Sequence, residues 1–227
     1  MSTEKTLEVD QFSTLAGPLD ITFIGHGSLM LGWNSMVIHI DPFGKQADYA
    51  LLPKADIILV THEHGDHLDI KALNQILTST TQIIYTKSCE KQVPGGLIMK
   101  NGDKNTLKNI QFEAVPAYNL VHKNKNGELY HPKGEGNGYV LTFGDLRVYV
   151  AGDTENIPEM SGLTNIDIAF LPMNLPYTMT PEMAALAAQS FKPRILYPYH
   201  FGQTTTNKLI KLLHSEKSIE VRIRRMA

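Results

Sequence analysis

The segment Thr61-His62-Glu63-His64-Gly65-Asp66-His67 places three imidazoles and the carboxylate of Asp66, beside that of Glu63, within six residues. Imidazole nitrogen and carboxylate oxygen are the donors that zinc and related divalent ions take, and no thiolate is required. In extended backbone His62 and His64 project to one side, because side chains alternate with period two. Gly65 permits a tight turn that brings Asp66 and His67 round to a neighbouring point. One short loop can therefore feed two adjacent ions; a solvated histidine-rich loop is the plainer alternative, and this spacing seldom arises by chance. The pattern is not that of the helical metalloproteases. The residue four after His62 is Asp66, so the H-E-x-x-H pair is absent.

Two distant residues offer the same chemistry. Asp153 lies in Val150-Ala151-Gly152-Asp153-Thr154 and His200 in Tyr197-Pro198-Tyr199-His200-Phe201, each at the end of an apolar run. Alone, the first reads as a turn-forming aspartate and the second as an ordinary core or surface histidine.

The elements that must position these groups follow from periodicity. Asp56 to Val60, immediately before the histidine cluster, is short and β-branched with no helical period, and reads as a buried strand. Leu19 to Ile24 and Ser35 to Ile40 are also strands, with Gly25-His26-Gly27 and Gly32 as breaks between extended pieces. Asp41-Pro42 stops the second run, since proline cannot donate to a sheet ladder. Gln82 to Thr86, Ile110 to Val115, Asp167 to Leu171 and Ile195 to Tyr199 are further strands, and Tyr139–Phe143 with Arg147–Ala151 form a hairpin around Gly144-Asp145. Leu68 to Leu77 takes helical spacing, with Ile70, Leu73, Ile76 and Leu77 on one face. Thr180 is a helix N-cap ahead of Pro181 and Glu182, in a helix reaching Ser190, and Lys208 to Leu213 lies in a last amphipathic helix. Lys123–Gly127 and Pro132–Gly138 read as surface loops. Strands open the chain and strand–helix alternation follows, an order that two sheets with helices packed outside them satisfy. No linker or repeat divides residues 1–227, so a single domain is expected.

Composition narrows the function classes. Hydrophobic residues make up 42% and charged residues 19% of 227, which excludes a disordered chain. The net charge of -2 provides no global positive field for nucleic acid or an anionic membrane. Cys89 is the lone cysteine, so no disulfide forms within the chain; a reducing cytoplasm suits this, and a periplasmic location is compatible with it. Met1 to Asp10 lacks the basic and apolar regions of a signal peptide, and no stretch approaches the roughly 18 apolar residues of a membrane helix. A soluble cytoplasmic protein is expected, and a homo-oligomer is compatible with it.

The spacing His62-x-His64-x-Asp66-His67 after a strand resembles the signature of the metallo-β-lactamase superfamily, and the resemblance runs from about Leu19 to Phe201. It implies an α/β fold, a four-layer αβ/βα sandwich of two mixed sheets flanked by helices, with metals at one edge of the sheets. It implies that His62 and His64 hold one ion, that Asp66 and His67 hold the second, that Asp153 bridges them, and that His200 is the last ligand. The superfamily's third histidine for the first ion is missing, for its place reads Val115-Pro116-Ala117-Tyr118-Asn119. That segment and the later His131-Pro132-Lys133-Gly134 resemble a branch that includes ascorbate-6-phosphate lactonase and phospholipase D-like enzymes. His131 is then the candidate third ligand, with His122 and Asn119 as alternatives. Asp41-Pro42 and Gly25-His26-Gly27-Ser28 match the same branch, and His26 is either a turn histidine or one that reaches the site.

The expected activity is hydrolysis by water activated between two divalent ions, zinc first and manganese or iron as alternatives. Asp66 and Asp153 are the candidate catalytic residues, holding the metals and orienting the nucleophile. Asp41 is a candidate to orient a ligating imidazole through its free N–H, and Lys133 and Tyr177 are candidates to contact an anionic or polar group of a small-molecule substrate. A phosphodiester, a lactone or a related ester is the expected substrate. A catalytically silent, metal-stabilised binding module is the alternative from another class, and an iron oxidoreductase is the third reading. His39 and His214 read as structural or solvent-facing, and Trp33 and the methionines as core.

Overall fold

Hydrophobic residues alternate along most strands, and the alternation sorts them into three buried clusters. Around Ile57–Leu59, for example, Ile57 and Leu59 join one cluster while Ile58 and Val60 join another. Along Gly136–Phe143, Tyr139, Leu141 and Phe143 join the first cluster and Val140 a third. Two sheets that share one face and each cover the other face with helix account for this division.

The computed structural model describes residues 6–227. Of the Met1–Asp10 stretch read for a leader, residues 1–5 lie outside the described residues. The first sheet has seven strands in chain order: β1 (Glu8–Thr14), β2 (Gly17–Gly25), β3 (Ser28–Trp33), β4 (Met36–Ile40), β5 (Ile57–Leu59), β6 (Gln82–Tyr85) and β7 (Leu97–Ile98). The second also has seven: β8 (Lys104–Leu107), β9 (Ile110–Ala117), β10 (Gly136–Phe143), β11 (Leu146–Val150), β12 (Ile168–Pro172), β13 (Ile195–Tyr199) and β14 (Glu220–Val221). Each sheet begins antiparallel and turns parallel, at β4–β5 in the first and at β11–β12 in the second. Helix α1 (Ile70–Ile76) packs outside the first sheet, and α2 (Pro181–Phe191) and α3 (Thr206–Leu212) outside the second. The layers run helix, sheet, sheet, helix.

The inter-sheet core is aromatic at its centre. Phe170 stacks on Tyr197 with ring centroids 5.1 Å apart, and Phe23 of the facing sheet lies 5.0 Å from the same tyrosine. Truncating a buried ring of this kind costs about 3–5 kcal/mol. Helix α2 begins as expected, with Thr180 Oγ1 accepting from Met183 N at 3.2 Å and Pro181 in the first turn. Helix α1 is shorter than its apolar spacing, because the Asp69 side chain accepts from Lys71 N and Ala72 N and so fixes the start there. Among the described residues, no helix is long and apolar enough to cross a membrane.

Two expectations need correction. Gly32 is no break: it lies inside β3, paired with Asp20 and Val37. The reversal comes after it, at Asn34 and Ser35, whose φ values of 48° and 61° make the tight β3–β4 turn. Pro132–Gly138 is not wholly loop, since Gly136, Asn137 and Gly138 open β10 and pair with Ala117, Pro116 and Val115. Glycines there let two backbones approach closely; a Cβ on Gly138 would stand 2.8 Å from Ala151 O.

Candidate metal centre

All seven predicted site residues lie just beyond strand C-termini or on the loops that follow them. The His62–His67 loop leaves β5, His131 belongs to the β9–β10 connection, Asp153 follows β11 and His200 follows β13. Side chains beyond the carboxyl ends of parallel strands converge on a crevice between the sheets. Thr61 fastens the first loop, with its N–H donating to Asp41 Oδ1 at 2.7 Å and its hydroxyl to Asp41 Oδ2 at 2.7 Å. Beyond Thr61 the chain bends and turns rather than continuing extended, because His67 N and Leu68 N both close back on His64 O at 2.9 and 2.8 Å. His62 is buried and His64 exposed, yet their rings lie 4.6 Å apart. The expected proximity holds, through a turn instead of a strand.

The donors fall into groups whose ligand atoms lie within 4.8 Å of one another: His62, His64 and His131 in one, His26, Asp66, His67 and His200 in another, and His62, His67 and Asp153 in a third. Asp153 stands between the first two. Its Oδ2 is 3.3 Å from His131 Nε2, while its Oδ1 is 3.4 Å from His67 Nε2 and 3.6 Å from His200 Nε2. The structure thus brings His131 to the first cluster. It places His122 elsewhere, with Nδ1 on Thr178 O at 2.8 Å, and turns Asn119 toward His131 rather than toward the cluster. His26 reaches the second cluster, with Nε2 3.0 Å from Asp66 Oδ2.

Hydrogen bonds behind the rings decide which nitrogen faces inward. Since the Thr61 hydroxyl donates to Asp41, His62 Nδ1 must donate to Thr61 Oγ1 at 3.0 Å. His67 Nδ1 donates to Asp41 Oδ2 at 2.8 Å, and His131 Nδ1 to Asn119 Oδ1 at 2.7 Å. In the neutral rings each of these Nε2 atoms carries a lone pair toward the centre, as ligating histidines require. His62 Nε2 and Asp153 Oδ1 are buried without a hydrogen-bond partner. His67 Nε2 and His200 Nε2 are 3.1 Å apart, so either a proton lies between them or both lone pairs face one cation. An all-nitrogen-and-oxygen donor set with buried, unpaired lone pairs fits divalent transition-metal ions.

The electrostatics agree at His62, His131, Asp66 and Asp153, and His67 runs the other way. Burial, reinforced by the neighbouring His67, pushes His62 well below the ordinary imidazole value, and burial likewise lowers His131. Burial works against ionised Asp153, but the His200 and His67 imidazoles outweigh it and hold its carboxyl well below the usual range. Asp66 follows the same logic, with burial opposed by hydrogen bonds from His200 and His26. His67 is pushed well above the ordinary value because, against its burial, Asp153 and Asp41 flank it. Neutral His62 and His131 beside ionised Asp66 and Asp153 are the protonation states of metal ligands.

A cleft of about 280 Å³ opens on the first cluster, lined in part by Glu63, Tyr130, Pro132 and Glu135. Among the described residues, no lysine or arginine lines it. Lys133 is engaged outside it, donating to Glu159 Oε1 at 2.7 Å and lying over the Tyr118 ring at 4.7 Å. Tyr177 is half-exposed, and its ring meets that of Tyr130 at the cleft, 4.9 Å away. The sequence reading missed Glu155, which the turn after β11 buries behind Asn119; its only sequence signal is a position two residues past Asp153.

Comparison with known proteins places these features in a wider set. A family model described as "Beta-lactamase superfamily domain" matches residues 20–200. A metal-dependent hydrolase of Methanoculleus marisnigri is 30% identical, covering 88% of this chain and 96% of its own length. A crystal structure named as a candidate metal-dependent hydrolase from Parabacteroides distasonis is 51% identical, with a TM-score of 0.93 over 98% of this chain and 100% of that one. A metallo hydrolase of Ignicoccus hospitalis shares the fold at 20% identity, with a TM-score of 0.72 over 92% of this chain and 96% of its own.

Proposed function

The chain belongs to the beta-lactamase superfamily domain family, and from that membership we propose that it is a metal-dependent hydrolase acting on a phosphodiester, lactone or related ester through a dinuclear centre. The observation that carries the reading is the pair of donor clusters facing opposite oxygens of Asp153. On this reading His62, His64 and His131 would hold the first ion and Asp66, His67 and His200 the second, with Asp153 available to both. Zinc is the preferred occupant, with manganese and iron compatible with the same donors. When bound, divalent cations supply Lewis acidity toward a substrate oxygen and bring the deprotonation of water toward neutral pH.

The chain's own residues prepare the site for this. Asp41 and Thr61 keep the Nε2 lone pairs of His67 and His62 inward. Asp153 sets the separation of the two clusters. His26 Nε2 at Asp66 Oδ2 restrains the aspartate, and Asp66 and Asp153 are the carboxylates that would orient the attacking water. Because no lysine or arginine among the described residues lines the cleft, a small substrate of little net charge beyond its reacting group fits best. A cytoplasmic location accompanies this reading, supported by the single, buried Cys89.

The test is a screen of metal-saturated protein against phosphodiesters, lactones and carboxylic esters. Turnover that is lost in Asp66→Ala supports the proposal. Inactivity across all three classes overturns it in favour of a silent binding module, and an iron-dependent absorption spectrum with redox turnover would favour the oxidoreductase.

A further inference from the structure

Glu155 lies two residues past Asp153, is 1% exposed, and has no place in the chemistry described so far. Its carboxylate accepts hydrogen bonds from three consecutive backbone N–H groups, those of Leu120 at 2.7 Å, Val121 at 2.8 Å and His122 at 2.7 Å. It also accepts from Asn119 Nδ2 at 3.2 Å. His122 Nδ1 also lies 2.8 Å from Oε1, so donors crowd a carboxylate that has about four lone-pair sites. Its own N–H donates to Tyr118 O at 3.0 Å, and Tyr118 N donates to Thr154 Oγ1 at 3.1 Å. The segment from Tyr118 to His122 is therefore hung on the turn that carries Asp153.

That segment delivers Asn119. The two hydrogens of Asn119 Nδ2 are taken by Glu155 Oε1 and by Tyr177 O, the latter at 2.8 Å. The amide is left with only one orientation, in which Oδ1 faces His131 Nδ1 at 2.7 Å. Backbone pairing runs the same way, with Asn119 N donating to His131 O at 2.8 Å. Oδ1 can only accept, so His131 carries its proton on Nδ1 and directs the Nε2 lone pair at the cluster with His62 and His64. Among the described residues, the hydrogen bonds of Glu155 and Asn119 do not reach Asp66, His67 or His200.

We propose that Glu155 is a positioning residue for the first cluster, setting the tautomer and aim of His131 through Asn119. It follows that one short turn after β11 both bridges the two clusters, by Asp153, and completes one of them, by Glu155. The inference rests on the dinuclear reading above.

The experiment is zinc titration of the full chain against a chromophoric chelator, in the wild type, Glu155→Gln, Asn119→Ala and Glu159→Gln. The glutamine presents an amide donor to a ring of donors, whereas Asn119→Ala keeps the three backbone bonds to Glu155 and removes only the relay. Wild type should bind two ions. In both Glu155→Gln and Asn119→Ala one ion should bind as in wild type and the other at least tenfold more weakly, within the range for loss of a ligand's outer hydrogen-bond partner. Glu159→Gln disturbs the neighbouring Tyr118 and Lys133 without touching Asn119, and should leave both affinities unchanged. Two unchanged affinities in Asn119→Ala, equal weakening of both ions, or the same loss in Glu159→Gln would overturn the proposal while leaving the dinuclear reading intact. A wild type that binds one ion or none removes the dinuclear reading itself. Should Glu155→Gln not fold, Asn119→Ala decides the matter alone.

Discussion

Replacing Asp41 by asparagine changes one buried atom and reverses a hydrogen-bond direction. Asp41 is fully buried and accepts three bonds, from Thr61 N, Thr61 Oγ1 and His67 Nδ1. In Asp41→Asn the retained Oδ1 still accepts from Thr61 N, but Nδ2 cannot accept from the other two donors. Thr61 can turn its hydroxyl and accept instead. His67 can avoid a clash of two N–H groups only by moving its proton to Nε2, which then points a hydrogen, not a lone pair, at Asp153 and His200. Two charge-assisted bonds at about 1.5–3 kcal/mol each are replaced by two neutral ones at about 1 kcal/mol each, so stability should fall by about 2 kcal/mol. Zinc affinity at the second cluster should fall about 10- to 100-fold. Urea unfolding of the metal-free protein gives the first number, chelator competition the second, and imidazole nitrogen NMR reads the tautomer. An Asp41→Asn protein with wild-type zinc affinity and His67 still protonated on Nδ1 would refute the reasoning.

Gly152 has φ of 66°, and a Cβ there would meet Asn137 O at 2.8 Å and Thr61 Cβ at 3.0 Å. Left-handed strain and overpacking should together destabilise Gly152→Ala by about 3 kcal/mol, and a loss under about 1 kcal/mol in denaturant unfolding would contradict this. His39, buried in β4 with Nε2 donating to Pro53 O at 3.0 Å, is pushed by burial from 6.5 down to about 4. Its depressed folded value means its contribution is complete above pH 6.5 and is lost as pH falls toward 4, by about 3 kcal/mol at 1.36 kcal/mol per unit. His39→Leu should flatten the stability–pH curve over that window, and an unchanged slope would contradict the assignment. Lys133 is paired with Glu159 at the surface, so Lys133→Ala should leave turnover and KM within about twofold, whereas a tenfold rise in KM would place it back at the substrate.

What was legible in the sequence was whatever is written locally. Buried strands such as Ile57–Leu59 and Ile195–Tyr199 announce themselves because every residue is apolar, and the Thr180-Pro181 start of α2 because its capping chemistry lies within four residues. Edge strands do not: β8 is Lys-Asn-Thr-Leu and mostly solvent-facing, and β1 buries only Phe12. The histidine cluster was visible as a cluster, but its turn was not, since that depends on hydrogen bonds closing on His64 O. His131 entered through the resemblance carried by His131-Pro132-Lys133-Gly134, and the donor geometry singles it out over His122 and Asn119. Glu155 was invisible because the N–H groups it binds lie 33 to 35 residues earlier in the chain. Lys133 was misread as a substrate contact for the same reason in reverse, for its partner Glu159 is 26 residues away.

The central claim is that two cations share Asp153. Anomalous diffraction at the zinc edge from crystals of the zinc-loaded protein tests it directly. Two peaks should appear, one against His62, His64 and His131 and one against Asp66, His67 and His200, with the Asp153 carboxylate between them. A single peak, or two peaks with Asp153 contacting neither, would contradict the account.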